Sequence, residues 1–327
     1  MVREQPEYWY RDDAVSRVLA PLSWLYCGVM RMRRLGYRLR LLPSGKAGVP
    51  VIVVGNLTVG GSGKTPLTVW VVEQLVREGW RPGIVSRGYG GRASQWPQQV
   101  RPDSDSVVVG DEAVLIARRT GRPMSVGPNR LETARALVRH ADVDIIVTDD
   151  GLQHYRLQRD IEIAVVDGRR RYGNGRCLPA GPLREPLSRG RAVDFTICNG
   201  TPMEGECGMR LVPGEAINLV SGEQRSLESL NDGPVHAVAG IGDPERFFVS
   251  LRRRGLRIIS HPFQDHHEYA PGDMEFMDER PVLMTEKDAM KYGRYATRRH
   301  WFLPVTAEVD DELTTALSQR LEGLRNG

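Results

Sequence analysis

Residues 49–54 are a run of β-branched side chains broken only by Pro50, the pattern of a strand buried on both faces. A glycine-rich stretch interrupts the run. An amphipathic segment then opens at Gly63-Lys64-Thr65, with Leu67, Val71 and Leu75 on one face. The alternation continues down the chain. Short apolar runs at residues 82–86, 123–126, 144–147, 161–166 and 193–198 predict strands. Between them, residues 113–119 and 130–140 predict helices, the second with Leu131, Ala134, Leu137 and Val138 apolar. Strands alternating with helices predict an α/β fold with a mostly parallel sheet flanked by helices. Residues 92–106 are polar with two prolines and predict an exposed excursion, and residues 209–230 carry no clear period.

At Pro234 the pattern restarts. Strands are expected at residues 235–239, 256–260, 282–284 and 301–305. A helix is expected at residues 245–254, with Phe247, Phe248 and Leu251 apolar, and a final helix at residues 310–324. This is a second, smaller α/β lobe. The expected division is an N-terminal segment of residues 1–42, a first domain of residues 43–215 and a C-terminal lobe of residues 216–327, whose last helix is free to pack back on the first core.

The length of 327 residues suits about two domains. A net charge of +4 does not imply nucleic acid, and none is expected as a partner. Cys27, Cys177, Cys198 and Cys207 make no CxxC pair, so neither a metal site nor a disulfide framework is expected, and a reducing compartment fits. The N-terminus changes the picture more. Residues 18–30 carry no charge but are too few to span a bilayer, and Arg31, Arg33, Arg34, Arg38 and Arg40 follow with no acidic neighbour. With Trp24 and Tyr26, this predicts a membrane-associating helix at an anionic surface.

The glycine-rich stretch is a Walker A pattern in strand–loop–helix context: Gly60, Gly61, Ser62, Gly63, Lys64 and Thr65, with Thr58 where the strict pattern has glycine. Loop amides and a helix N-terminus attract phosphate, Lys64 would reach the β/γ-phosphates and Thr65 would ligate Mg²⁺. The strand ending in Asp149-Asp150-Gly151 is the Walker B arrangement, with Gln153 and His154 following at once. Residues 172–189 form a long irregular loop in which Arg184 and Glu185, between two prolines, are candidates for phosphate and metal contacts. The basic loop Arg87-Gly88-Tyr89-Gly90-Gly91 follows a strand's C-terminal end. Taken alone, Asp111 and Glu112 complement a helix dipole. His266 and His267 suit a surface loop, or, with Asp265, a polar pair facing the nucleotide across a cleft.

These motifs, in their order, resemble a known family. They are Gly55-Asn56 with residues 60–66, Ser86-Arg87-Gly88-Tyr89-Gly90, Gly110-Asp111-Glu112, residues 149–154, residues 179–186, Ala239-Gly240-Ile241-Gly242, Asp265-His266-His267 and residues 285–289. Together they resemble tetraacyldisaccharide 4′-kinase, the lipid A 4′-kinase, from about Tyr8 to the last helix. The resemblance implies a P-loop NTPase-like fold. It also implies transfer of the γ-phosphoryl group of ATP, with Mg²⁺, to the 4′-hydroxyl of a tetraacyldisaccharide 1-phosphate at the cytoplasmic face of the bacterial inner membrane. On the resemblance, Asp111 is the catalytic aspartate, with Asp265 and His266 supporting it. Lys64, Thr65, Asp149, Asp150, Gln153 and Glu185 organise metal or nucleotide, and Arg184 offsets phosphoryl charge. Ala113 stands where the family usually has proline, at the helix start and away from the carboxylate. A lipid disaccharide in the bilayer is the expected partner, met by a peripheral or shallowly inserted monomer. A membrane-tethered regulatory ATPase would need neither Asp111 nor His266. A GTPase would need the lysine of Thr285-Glu286-Lys287-Asp288 one place earlier, and a kinase for a soluble acceptor would have little use for the apolar N-terminus.

Overall fold

The computed structural model describes residues 5–265 and 267–325, so the expectation on His266 falls outside the described residues. Two helices open the chain, α1 (Ala14–Val18) and α2 (Ala20–Arg38). There follow β1 (Val51–Gly55), α3 (Lys64–Arg77), β2 (Pro82–Ser86), β3 (Gln98–Val100), α4 (Ser106–Val109) and α5 (Asp111–Thr120). Next come β4 (Met124–Val126), α6 (Arg130–His140), β5 (Ile145–Thr148), β6 (Ile161–Asp167), β7 (Phe195–Asn199) and β8 (Cys207–Pro213). The second unit holds β9 (Ala216–Asn218), β10 (Gln224–Arg225), β11 (Val235–Ala239), α7 (Pro244–Arg253), β12 (Ile258–Pro262), β13 (Val282–Thr285), α8 (Glu286–Tyr292) and β14 (His300–Leu303). The chain ends with β15 (Val305–Val309) and α9 (Asp311–Arg325).

The first sheet has nine strands in the order β15-β8-β7-β6-β1-β5-β2-β4-β3, and β1 runs parallel to β5 and β6 on either side. Successive side chains of a strand point to opposite faces, and β1 shows the consequence. Ile52 and Val54 enter one core with Leu67, Val71 and Leu75 of α3, while Val51 and Val53 enter the other with Leu131, Ala134 and Leu137 of α6. Each such buried Val, Leu or Ile side chain contributes about 1.5–3 kcal/mol. This central placement puts the C-terminal ends of β1 and β5 side by side, where the phosphate loop and the acidic turn emerge.

The second sheet has six strands in the order β10-β9-β14-β13-β11-β12. The run expected as one strand over residues 301–305 is two strands. Pro304 lacks an N–H and interrupts the ladder. Before it, β14 pairs parallel with β13; after it, β15 pairs antiparallel with β8 in the first sheet. Leu313, Leu317 and Leu321 of α9 then fill the first core. The polar excursion over residues 92–106 contributes β3, an edge strand antiparallel to β4.

The N-terminal helix α2 buries only Ala20 and Ser23. The Ser23 hydroxyl donates to Cys177 O (2.7 Å) and the Tyr26 hydroxyl to Arg184 O (3.1 Å), seating the helix on the irregular loop before β7. Cys27 and Cys177 are disulfide-bonded, contrary to the expectation from cysteine spacing, because partners 150 residues apart meet only in the folded chain. Val18, Leu22, Leu25, Val29 and Met32 recur at helical spacing and are exposed, as is Trp24 at 70%. A stripe of this period ordinarily faces a core. Among the described residues no helix is long and apolar enough to cross a membrane.

Candidate active site

The loop after β1 turns on glycines with positive φ, Gly60 at +107° and Gly63 at +94°. Gly63 is also required by space, since a Cβ there would lie 2.8 Å from Asn199 Nδ2. The amide of buried Asn56 donates to Gly60 O (3.2 Å) across the loop. Ser62 is buried, and its hydroxyl has no hydrogen-bond partner among the described residues. Thr58 has a definite task where the strict pattern has glycine. It forms a bridge to Leu183, with Val59 N–H donating to Pro182 O (2.9 Å) and Arg184 N–H to Leu57 O (2.7 Å). That pairing brings Arg184 to the phosphate loop from more than a hundred residues away.

The acidic turn after β5 meets it there. Asp150, with a positive φ of 49°, places its carboxylate 3.8 Å from Lys64 Nζ and accepts from Arg184 Nη1 at 3.0 Å on each oxygen. Burial works against that charge, but Lys64 and Arg184 hold the Asp150 carboxyl below its ordinary range. Asp149 behaves oppositely. It accepts from the Thr68 hydroxyl (3.0 Å), and burial, reinforced by Glu112 and Asp150, pushes it up to about 7. Behind it lies Arg130, the first residue of α6, which the sequence reading did not single out. Its guanidinium is buried, donates to Asp149 O (3.3 Å) and Gly127 O (3.0 Å), and is lowered to about 10 by burial.

Gln153 donates to Asn56 O (3.1 Å), one residue past β1. Glu185 is buried with Oε1 accepting from the Tyr155 hydroxyl (2.5 Å) and Oε2 3.6 Å from Arg189 Nε. Burial raises its carboxyl above the ordinary range. Among the described residues no group of three or more His, Cys, Asp or Glu side chains is arranged to hold a metal. The donors present are hard carboxylate and hydroxyl oxygens, the set that suits Mg²⁺ when phosphates complete its shell.

Asp111 opens α5 immediately after Gly110, whose φ is +95°. One of its oxygens accepts the Glu112 N–H (2.9 Å), and the other lies 3.3 Å from Lys291 Nζ of α8. Lys287, one turn earlier on α8, reaches Glu112 (3.1 Å) and Asp265 (3.5 Å). Burial would lower Lys287, but Glu112, Asp111 and Asp265 together raise it. Asp265 is thus tied to the start of α5 from the other unit. The turn after β11 also faces the phosphate loop, for a Cβ on Gly242 would lie 3.8 Å from Gly61 N. Buried Asp288 holds that turn, accepting from Gly240 N–H (3.0 Å), the Tyr269 hydroxyl (3.0 Å) and the Thr285 hydroxyl (2.6 Å). His267 pairs with Asp273 (2.9 Å) and packs beside Phe263 and Tyr269.

The structure therefore gathers Lys64, Asp149, Asp150 and Arg184 at one point, with Gln153 and Glu185 behind them. Asp111 meets Lys291, and Glu112 and Asp265 share Lys287, at the mouth between the units. Two lysines of α8 and Arg130 complete the charge pattern. Comparison with known proteins agrees with the motifs. The model of the tetraacyldisaccharide-1-P 4′-kinase family matches residues 15–322. The tetraacyldisaccharide 4′-kinase of Nitrosococcus oceani is 51% identical over 298 residues, 91% of this chain and 88% of that protein. That of Alkalilimnicola ehrlichii is 50% identical over 99% of both chains. The crystal structure of the "apo" form of LpxK from Aquifex aeolicus in complex with ATP superposes with a TM-score of 0.79 at 26% identity, covering 94% of this chain and 99% of that one. With a family match across most of its length, and the same fold in a solved relative, the chain belongs to the tetraacyldisaccharide 4′-kinase family.

Proposed function

We propose that this chain transfers the γ-phosphoryl group of ATP to the 4′-hydroxyl of a tetraacyldisaccharide 1-phosphate, a step of lipid A biosynthesis, using the residues gathered between its two units. The observation that carries the proposal is the meeting of Lys64, Asp150 and Arg184 beneath a glycine loop that faces Gly242 of the other unit. Two features fit a bound triphosphate: the Ser62 hydroxyl inside the loop, which has no partner among the described residues, and the open amides at the start of α3. The names of the relatives supply the acceptor, and the ATP-bound LpxK supports the donor.

Phosphoryl transfer asks chiefly for alignment and charge neutralisation. Lys64 sits long on Asp150, at 3.8 Å, and is positioned to turn to the phosphates, while Arg184 offsets charge on the transferred group. Asp111 accepts the proton of the sugar hydroxyl, with Asp265 and His266 as its supports. Thr65, Asp149 and Asp150 would hold Mg²⁺, whose role is to neutralise β- and γ-phosphate charge. Gln153 and Glu185 serve one layer back, being engaged with Asn56, Tyr155 and Arg189. We take the nucleotide unit to be residues 43–215 and the chain from 216 to form the lobe across the cleft, with β15 and α9 returning to the first sheet and core. The exposed apolar stripe of α2 and the arginines after it suit a monomer lying on the anionic cytoplasmic face of the inner membrane, where an acylated acceptor resides.

The test is transfer of labelled γ-phosphate to a tetraacyldisaccharide 1-phosphate in mixed micelles. Labelled lipid is expected from the wild type, none from Lys64→Ala and very little from Asp111→Ala. Full activity of Asp111→Ala would sink the catalytic assignment. Acceptor-independent ATP hydrolysis with no labelled lipid would favour a regulatory ATPase.

A further inference from the structure

We propose that Arg246 and Asn199 are positioning residues for the phosphate loop, through which the second unit sets the aim of a loop amide. This rests on the P-loop of the proposed function being the ATP site. Asn199 ends β7 and is buried, and its side-chain Nδ2 donates to Ser62 O at 3.1 Å. Its Oδ1 accepts from Arg246 Nη2 at 3.0 Å. The two contacts fix the amide's orientation, because the opposite flip would set donor against donor and acceptor against acceptor. Arg246 belongs to α7 in the second unit, and its Nη1 also donates to buried Asp167 (3.0 Å) at the end of β6. Arg170 returns the clasp from the first unit, 3.0 Å from Asp243, whose side chain caps α7 by accepting Arg246 N–H.

The consequence lies in the peptide between Ser62 and Gly63. In a trans peptide, carbonyl and N–H point opposite ways. Ser62 O is drawn outward to Asn199, so the Gly63 N–H is turned away from Asn199, toward the inside of the loop. A Walker loop holds phosphate by such inward amides. The fit is close, since only a glycine at 63 admits Asn199 Nδ2. The Arg246 guanidinium is engaged by Asn199 and Asp167. It acts through Asn199, and its contacts exist only while the second unit stays seated on the first.

The test is MgATP titration of the full-length protein by calorimetry, with steady-state kinetics on both substrates. Asn199→Asp keeps a partner for Arg246 but sets an oxygen against Ser62 O. It is expected to weaken ATP binding about tenfold, with the KM for the lipid acceptor unchanged. Arg246→Ala is expected to weaken ATP binding about threefold, and Arg246→Lys to recover part of that. In an Asn199→Ala background Arg246→Ala should add nothing, since its route is already cut. Wild-type ATP affinity in both Asn199→Asp and Arg246→Ala, with Lys64→Ala binding poorly, overturns the positioning role alone. Additive losses in the cycle overturn it too. Unchanged ATP binding in Lys64→Ala would instead remove the loop reading on which it rests. Circular dichroism screens each variant for folding, and if Asn199→Asp fails to fold, the cycle of Asn199→Ala with Arg246→Ala decides.

Discussion

Lys291 Nζ of α8 lies 3.3 Å from Asp111 Oδ2 at the start of α5, a buried ion pair that joins the two units at the proposed base. The side chains are 11% and 7% exposed, so little solvent screens them. Lys287 repeats the link one turn away, to Glu112 and Asp265. The same helix therefore contacts the carboxylate and ties the two units together.

Lys291→Met should therefore lower kcat on the lipid acceptor while sparing ATP binding, because α8 contacts the base and not the phosphate loop. A loss on the order of 10²-fold is expected, within the range that a general base contributes. Breaking a buried pair from one side also destabilises by about 3–5 kcal/mol, so a melting curve accompanies the kinetics. A variant that melts early but turns over normally would show the pair to be purely structural.

Gly110→Ala tests the backbone that aims Asp111. A Cβ at 110 would lie 2.5 Å from Tyr89 O, in a conformation with φ of +95° that favours glycine. The strain is about 1–3 kcal/mol, and relief requires residues 88–91 or the start of α5 to shift. Phosphoryl transfer should fall steeply with ATP affinity near wild type. Normal turnover in Gly110→Ala would mean that the turn tolerates displacement without moving the carboxylate.

Asp149, pushed up to about 7 in the folded protein from an ordinary 3.8, gives a pH dependence of definite sign. Between those values the folded state keeps a proton that the unfolded state has lost, so this group's contribution to stability falls as pH rises to about 7 and is constant above. Asp149→Asn is isosteric and cannot ionise. Its nucleotide-free form should melt higher than the wild type above about pH 7 and lose that advantage in acid. Mg²⁺ favours the carboxylate, so the wild type's metal affinity should climb with pH to about 7, with proton release seen by calorimetry in buffers of differing ionisation enthalpy. Equal melting temperatures at all pH values would remove the burial argument for Asp149.

The chemistry legible in the sequence was the chemistry carried by contiguous motifs. The glycine loop and the Asp149-Asp150 strand end announce themselves because local backbone and side chain work together, whereas Asp111 taken alone suited a helix dipole and gained its role only from the family resemblance. Strand β2 and helix α6 fell at their expected bounds for the same reason, since periodicity is local. Lys291, Arg130, Arg246 and Asn199 gave no such signal. Each lies in an ordinary element, and its partner stands elsewhere in the chain: Asp111, Asp149, Asp167 and Ser62 in turn. Cys27 and Cys177 were hidden likewise, by separation. The strand expected over residues 301–305 failed on one residue, Pro304, which a stricter use of proline in strands would have marked as the break between two sheets.

The stripe Val18, Leu22, Leu25, Val29 and Met32, with Trp24 beside it, is the surface whose purpose can be tested without the active site. Arg31, Arg33, Arg38 and Arg40 are exposed after it, so apolar insertion and lipid charge would act together. Each large apolar side chain brought out of water is worth about 1.5–3 kcal/mol, and each arginine near an anionic surface about 1 kcal/mol. Trp24→Ser with Leu25→Ser should weaken flotation with anionic vesicles by about 10²-fold or more. Raised salt should weaken the wild type too, through the arginines. Neither residue belongs to the buried set of α2, so the melting temperature should not change. Transfer to acceptor presented in vesicles should fall, while transfer to acceptor dispersed in detergent micelles should be kept. Equal losses in vesicles and micelles would place the stripe in folding or acceptor binding and not in docking to the bilayer.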